Sequence, residues 1–326
     1  MKQHDEGTIA QGKMKRGRFL QSAGFSDKIF SNLTLIFALV IVGILIGLVI
    51  VLVKNAMPAI IRFGFSFLNS STWDPVKQIF GALPAIYGTL LSSVIGLIIA
   101  VPISLGAAIF LVELSPKWLQ GPASLVIEML AAIPSVIIGL WGLFVLVPVV
   151  RRPIESWLGS HLGMLPLFQG PPFGVGFLAA GIILAIMIIP IITAVSRDAI
   201  RAVPNEQREA MFALGATRWE MIRKAVLPYC RSGLVGGIIL GLGRAIGETM
   251  AVTMVIGNSY KLTASLFSPG STIASTIASQ FSEAAVGVSV GSLVELALIL
   301  FGVTLLVNVV ARTLVWRMTS VKAAKE

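Results

Sequence analysis

Six long apolar runs, separated by short charged segments, constrain this chain more than any other feature. They lie at about 33–53, 84–111, 122–147, 174–195, 233–256 and 291–311. About 20 apolar residues cross the hydrocarbon core of a bilayer. Within that core each backbone N–H and C=O must find a partner, which a helix supplies within one segment. The expected fold class is therefore all-α, a polytopic membrane protein with six transmembrane helices in one bundle. Composition excludes the soluble alternative. The chain is 56% hydrophobic and 12% charged, against about 25% charged in soluble domains.

The net charge of +10 reads as topology rather than nucleic-acid binding, because the basic residues sit between the apolar runs. Six crossings place both termini on one side. Of the 25 Lys and Arg, 18 fall on that side and six on the other, with Arg244 inside a run. Basic residues favour the cytoplasmic side, so both termini are expected there. The first run is a full span without a small-residue cleavage site and reads as an anchor rather than a signal peptide. Cys230 is the one cysteine, so no intrachain disulfide is expected, and it reads as a small packing residue near a helix end.

These boundaries divide the chain into an N-terminal cytoplasmic tail (1–28), expected to be disordered, and a first transmembrane helix with a periplasmic loop (29–83). A transmembrane core (84–314) with a cytoplasmic loop (197–231) and a C-terminal tail (315–326) complete it. Prolines at 102, 134 and 190 lie inside the expected spans, where each removes a backbone bond and kinks its helix.

The loop between the fourth and fifth runs is the most informative polar segment. Asn205 can cap a helix and Glu206 suits its first turn. Gly215 offers a left-handed stop. Thr217 and Glu220 have capping-box spacing, and the second helix is expected to end near Leu227-Pro228. Met211, Phe212, Trp219, Met221 and Ile222 alternate with Arg208, Arg218, Arg223 and Lys224. That pattern fits an amphipathic helix resting on headgroups or a docking surface for a partner.

The fifth run holds two ionisable residues, Arg244 and Glu248, at i,i+4 spacing on one expected helical face. A charge at the bilayer centre costs roughly 2.5–3.5 kcal/mol. The pair either neutralises itself and pins the bundle or lines an anion pathway, since a guanidinium fork suits phosphate oxygens. Glu248 would then compete for Arg244 and release the anion. Gly233, Gly237 and Gly241, and Gly243 with Gly247, are spaced for close helix approach. Glu128 and Glu295 lie near span ends. His161 is a lone loop histidine, so a His-based metal site is not expected. The glycines at 241–247 have the wrong spacing for a dinucleotide fingerprint, and no nucleophile–base constellation is visible.

Glu209-Ala210-Met211, then Gly215, then Leu227-Pro228 resembles the EAA loop of ABC importer permeases, with Met211 and Ala225 departing from the usual pattern. Segments 243–252, 132–139 and 271–278 resemble the Pst phosphate permeases, and 73–84 with Gly88-Thr89 resembles their PstC type rather than their PstA type. The resemblance covers roughly 72–311. It implies a MetI-like type I importer fold. Glu209, Ala210, Gly215, Leu227 and Pro228 would couple to the ATPase, and Arg244 and Glu248 would lie on the substrate pathway. It also implies a PstA-like permease partner, a PstB-like ATPase dimer and a periplasmic PstS-like phosphate-binding protein. The sequence has no G-x-x-x-x-G-K-[ST] loop. No cofactor is therefore expected in this chain, and ATP and Mg are assigned to the partner ATPase. Permeases for sulfate, molybdate or phosphonate, a proton-coupled secondary transporter and an intramembrane enzyme remain open on the residues alone.

Overall fold

The computed structural model describes the backbone of residues 5–323 and the side chains of 27–313. Its principal helices are α1 (Asp5–Phe63), α2 (Leu83–Leu114), α3 (Lys117–Ala131), α4 (Ser135–Leu162), α5 (Phe177–Arg201), α6 (Asn205–Ala213), α7 (Arg218–Ile246), α8 (Met250–Val255), α9 (Ile273–Gln280) and α10 (Val288–Ala323). Six of them are long and apolar enough to cross a membrane. Among the described residues there is no strand, only an isolated bridge between Asp74 and Ile79.

The chain divides into two units, 1–54 and 55–326. The first is helical from Asp5. This corrects the disordered N-terminal tail: a helix already nucleated by a long apolar span extends outward at one hydrogen bond per residue. Residues 1–4 lie outside the description. The expected tail at 315–326 likewise continues α10 as far as Ala323, with 324–326 undescribed.

In the second unit, α5 is the central helix, with most of its residues buried. It packs along α2 and α7 because glycines remove side chains at the crossings. Gly96 faces Leu184, Gly181 faces Ile95, Gly237 faces Val195 and Gly241 faces Ile192. The close-approach role expected for Gly233, Gly237 and Gly241 is therefore found. Gly243 has nothing within 4 Å and Gly247 meets only the Gly243 carbonyl, so this second glycine pair faces open space.

Two expected spans are interrupted. Pro134 does not kink the third span; it is the N-cap of α4, and the chain breaks at 132–134 after α3. Proline lacks the N–H and pushes its predecessor out of helical geometry, so the crossing helix starts later and runs to Leu162. Arg151, Arg152 and His161, expected in a loop, lie on it. The fifth span is broken at 247–249 between α7 and α8.

The loop at 70–83 is built around Asp74. Its Oδ1 accepts from the N–H groups of Val76 and Lys77, each at 3.0 Å, and Gln78 takes a left-handed φ of 51°. Trp73 packs edge-on to Phe80 at 4.9 Å and stacks on Tyr260 at 5.5 Å. Burial pushes the Tyr260 phenol above its ordinary range.

Gly88 sits where a Cβ would overlap the Ser271 carbonyl oxygen and touch the Phe177 ring. Since one obstacle is backbone, relaxation is costly. Gly88→Ala is expected to destabilise the fold by about 1–3 kcal/mol, seen as earlier thermal unfolding in detergent, whereas Gly106→Ala, with open space around it, is expected to be neutral.

Candidate functional site

The residues singled out by sequence form two groups at opposite ends of α7. With 1.5 Å rise per residue, Arg218 and Arg244 are roughly 40 Å apart.

At the far end, α7 stops at Ile246. Arg244 is in its last turn, and Glu248 sits in the break rather than one turn further along the same helix. This corrects the single continuous face. The Glu248 carboxylate is 5% exposed. Its Oε1 accepts from the Ala251 N–H at 3.3 Å, one of the unpaired donors at the start of α8, where a negative charge is favoured. Once Glu248 caps α8, only its other oxygen is left for Arg244, and Nη2 stands 3.6 Å from Oε2. That separation is an ion pair without a hydrogen bond. The Arg244 side chain is 45% exposed, beside the uncovered Gly243. Among the described residues its guanidinium makes no hydrogen bond within the chain.

The other quoted motifs meet around this break. A Cβ on Gly139 of α4 would stand 2.9 Å from the Ala251 Cα, so α4 packs directly on α8. Thr89 accepts from the Ile273 N–H at 2.9 Å through its hydroxyl, joining α2 to α9, whose start is closed by a Thr272–Ser275 capping box. Thr89, Ser92, Ser271, Thr272, Ser275 and Thr276 are all buried. Sequence reasoning missed this hydroxyl seam, although the spacing of three and four residues within 89–93 and 272–276 marks it.

At the other end, α6 ends as expected with Gly215 at φ 77°. Thr217 accepts from the Glu220 N–H at 3.3 Å while Glu220 Oε2 accepts from the Thr217 N–H at 3.0 Å, the expected capping box. Two local expectations are corrected. The N-cap of α6 is Pro204, not Asn205; the Asn205 side chain instead accepts from Arg208. The second helix does not end at Leu227-Pro228 but runs on into the span, because a π turn at 222–226 accommodates the missing proline N–H. Met211, Met221, Ile222 and Leu227 turn inward onto a cluster with Ala108, Ile200 and Val226. Phe212, Leu214 and Trp219 turn outward, Leu214 being 83% exposed, and Glu209 and Ala210 are exposed beside them.

Three further charged groups escaped the sequence reading. Arg197 is 7% exposed and pairs with Glu128 of α3 at 3.1 Å and with Asp198. Glu155 is buried and accepts from the Gly174 N–H at 2.8 Å. Arg208 pairs with Glu113 at 2.7 Å. Apart from the adjacent Asp198, the partners are 19 to 95 positions away in sequence, too distant for a local pattern.

A family profile described as "Binding-protein-dependent transport system inner membrane component" matches residues 100–320. The phosphate transport system permease protein PstC of Haemophilus influenzae is 49% identical over 300 residues, covering 91% of this chain and 95% of its own length. The protein of that name from Mesorhizobium japonicum is 44% identical, covering 94% of each chain, and a probable one from Methanocaldococcus jannaschii is 40% identical over 78% of this chain and 83% of its own. Among solved structures, a chain of the MetNI methionine ABC transporter superposes with a TM-score of 0.50 at 18% identity, over 73% of this chain and 94% of that one. This last likeness concerns the fold alone.

Proposed function

This chain belongs to the inner-membrane components of binding-protein-dependent transport systems, and within them to the PstC phosphate permeases; from that premise we propose that it carries inorganic phosphate across the cytoplasmic membrane, driven by ATP hydrolysed in a partner. The observation that carries this reading is the guanidinium of Arg244. It stands at the broken end of α7, with one loose ionic partner and a face left open beside Gly243. A dianion with several oxygens is the ligand such a fork holds best. Glu248 is close enough to reclaim the guanidinium when the anion leaves.

Two open faces support the assignment of partners. The apolar surface of Phe212, Leu214 and Trp219, with Glu209, Ala210 and the Gly215 turn, docks a PstB-like ATPase dimer that binds ATP and Mg. The open side of α7 meets a PstA-like permease, so phosphate passes between the two, delivered by a periplasmic PstS-like binding protein. The excess of basic residues on the α6 side favours a cytoplasmic location for that side and for both termini.

The test is co-purification followed by reconstitution. ATP-dependent uptake of labelled phosphate, competed by unlabelled phosphate and not by sulfate, molybdate or phosphonate, is expected. Uptake by this chain without an ATPase partner would overturn the reading.

A further inference from the structure

Arg208 and Glu113 are 95 positions apart and form the shortest ion pair among the described residues. Arg208 Nη2 donates to Glu113 Oε1 at 2.7 Å, and Nε donates to the same oxygen at 3.1 Å. The other hydrogen bonds of the guanidinium run from Nη2 to the Ile200 carbonyl at 3.0 Å, and from Nη1 to the Val203 carbonyl and to the Asn205 side-chain oxygen within α6. Both side chains are shielded, with 14% of Arg208 and 6% of Glu113 exposed. One cation thus joins three pieces of chain: α6, which carries it; the last turn of α2, which carries Glu113; and the end of α5 with the turn after it.

The surroundings make this junction stiff. It lies beside the apolar cluster of Ala108, Ile200, Met221, Ile222 and Cys230. There the charges cannot exchange each other for water at little cost. Without it, α6 would be tied to the core by weaker means. The covalent links are the short turn after α5 and the left-handed turn at Gly215, a hinge with no Cβ contact within 4 Å; Met211 adds an apolar contact. With it, α6 is fixed to α2 as well as α5, and those two helices are themselves interlocked at Gly96 and Gly181. Interlocked, well-packed elements move as rigid bodies rather than deforming.

We propose that Arg208 is a positioning residue that fastens α6 to α2 through Glu113, so that movement imposed on the docking surface reaches the Arg244 end of the core. The inference rests on the reading of 205–228 as the ATPase docking segment. It adds a specific mechanical connection, through a helix that precedes the loop by about 95 residues.

The test uses the whole transporter in proteoliposomes, recording labelled phosphate uptake and ATP hydrolysis together. Arg208→Gln and Glu113→Gln are each expected to lower phosphate carried per ATP about tenfold, while the ATPase subunits stay bound. The double variant is expected to be no worse than either single one, because partners in one interaction are not additive. Arg208→Lys is expected to recover part of the ratio, since an ammonium reaches Glu113 but cannot also span both carbonyls. Singles within about twofold of the parent, or a double variant whose loss is the product of the two singles, would overturn the proposal. Loss of the ATPase from the variants alone would also overturn it, because the pair would then shape the docking surface rather than relay its motion. Should Arg208→Gln fail to accumulate, Glu113→Gln and Arg208→Lys carry the same comparison. If the parent chain itself binds no ATPase, the docking reading fails and this inference with it; if the parent couples normally and the variants do too, only this inference fails.

Discussion

Arg244→Gln is expected to abolish measurable phosphate uptake while the complex still assembles. The expected size follows from what the guanidinium offers. A bidentate contact to phosphate comprises two charge-assisted hydrogen bonds, each contributing about 1.5–3 kcal/mol. Removing both costs roughly 3–6 kcal/mol in the anion-bound state, or more than about a hundredfold in occupancy. The folded chain loses far less. Arg244 is 45% exposed and held by one contact at 3.6 Å, and Glu248 keeps its bond from the Ala251 N–H. Yield and subunit composition by size exclusion should therefore match the parent, while uptake of labelled phosphate falls to background. Normal uptake in the variant would remove Arg244 from the pathway. Glu248→Gln should act differently: the competing charge goes, so phosphate is held longer and turnover drops without loss of binding.

Leu214→Asp is expected to separate the permease from its ATPase. Leu214 is 83% exposed in the isolated chain, so the fold should change by no more than about 0.5 kcal/mol. In a docked complex the same position would be enclosed between Phe212, Trp219 and the partner. An aspartate there exchanges a favourable apolar contact for a buried carboxylate, at roughly 3 kcal/mol or more. Co-purification of the ATPase should weaken by about two orders of magnitude, with uptake lost in parallel. The alternative use of this surface, resting on lipid headgroups, predicts otherwise: membrane association of the loop would loosen while the ATPase stayed bound. The two substitutions therefore fail in distinguishable ways, one with the motor attached and idle, the other with the motor gone.

The loop at 70–83 shows how far local chemistry carries. Asp74 and the left-handed Gln78 turn the chain by contacts within five residues, and Thr217 with Glu220 start α7 in the same self-contained way. Such features depend on neighbours in sequence and are legible there. The third span was misplaced because Pro134 permits two outcomes, a kinked continuous helix or a break followed by a new start, and its neighbours do not choose between them. The choice falls to packing: with the helix starting at Ser135, Gly139 comes up against Ala251. Glu248 is a sharper case. Its spacing from Arg244 suits a helical face, yet the carboxylate caps α8 instead, a use that exists only once the chain has broken at Gly247.

By itself the sequence determined that this chain crosses a membrane as six helices and that its longest charged loop is a helix–turn–helix. Hydrocarbon leaves an apolar run of about 20 residues little alternative to a helix, and caps and glycines act within one turn. Tertiary structure alone decided where the third and fifth spans are interrupted, which face of the loop is buried, and that Glu113 meets Arg208. Those outcomes depend on side chains tens of residues apart competing for the same space and the same few polar partners in a low-dielectric interior, and no local pattern encodes the result of that competition.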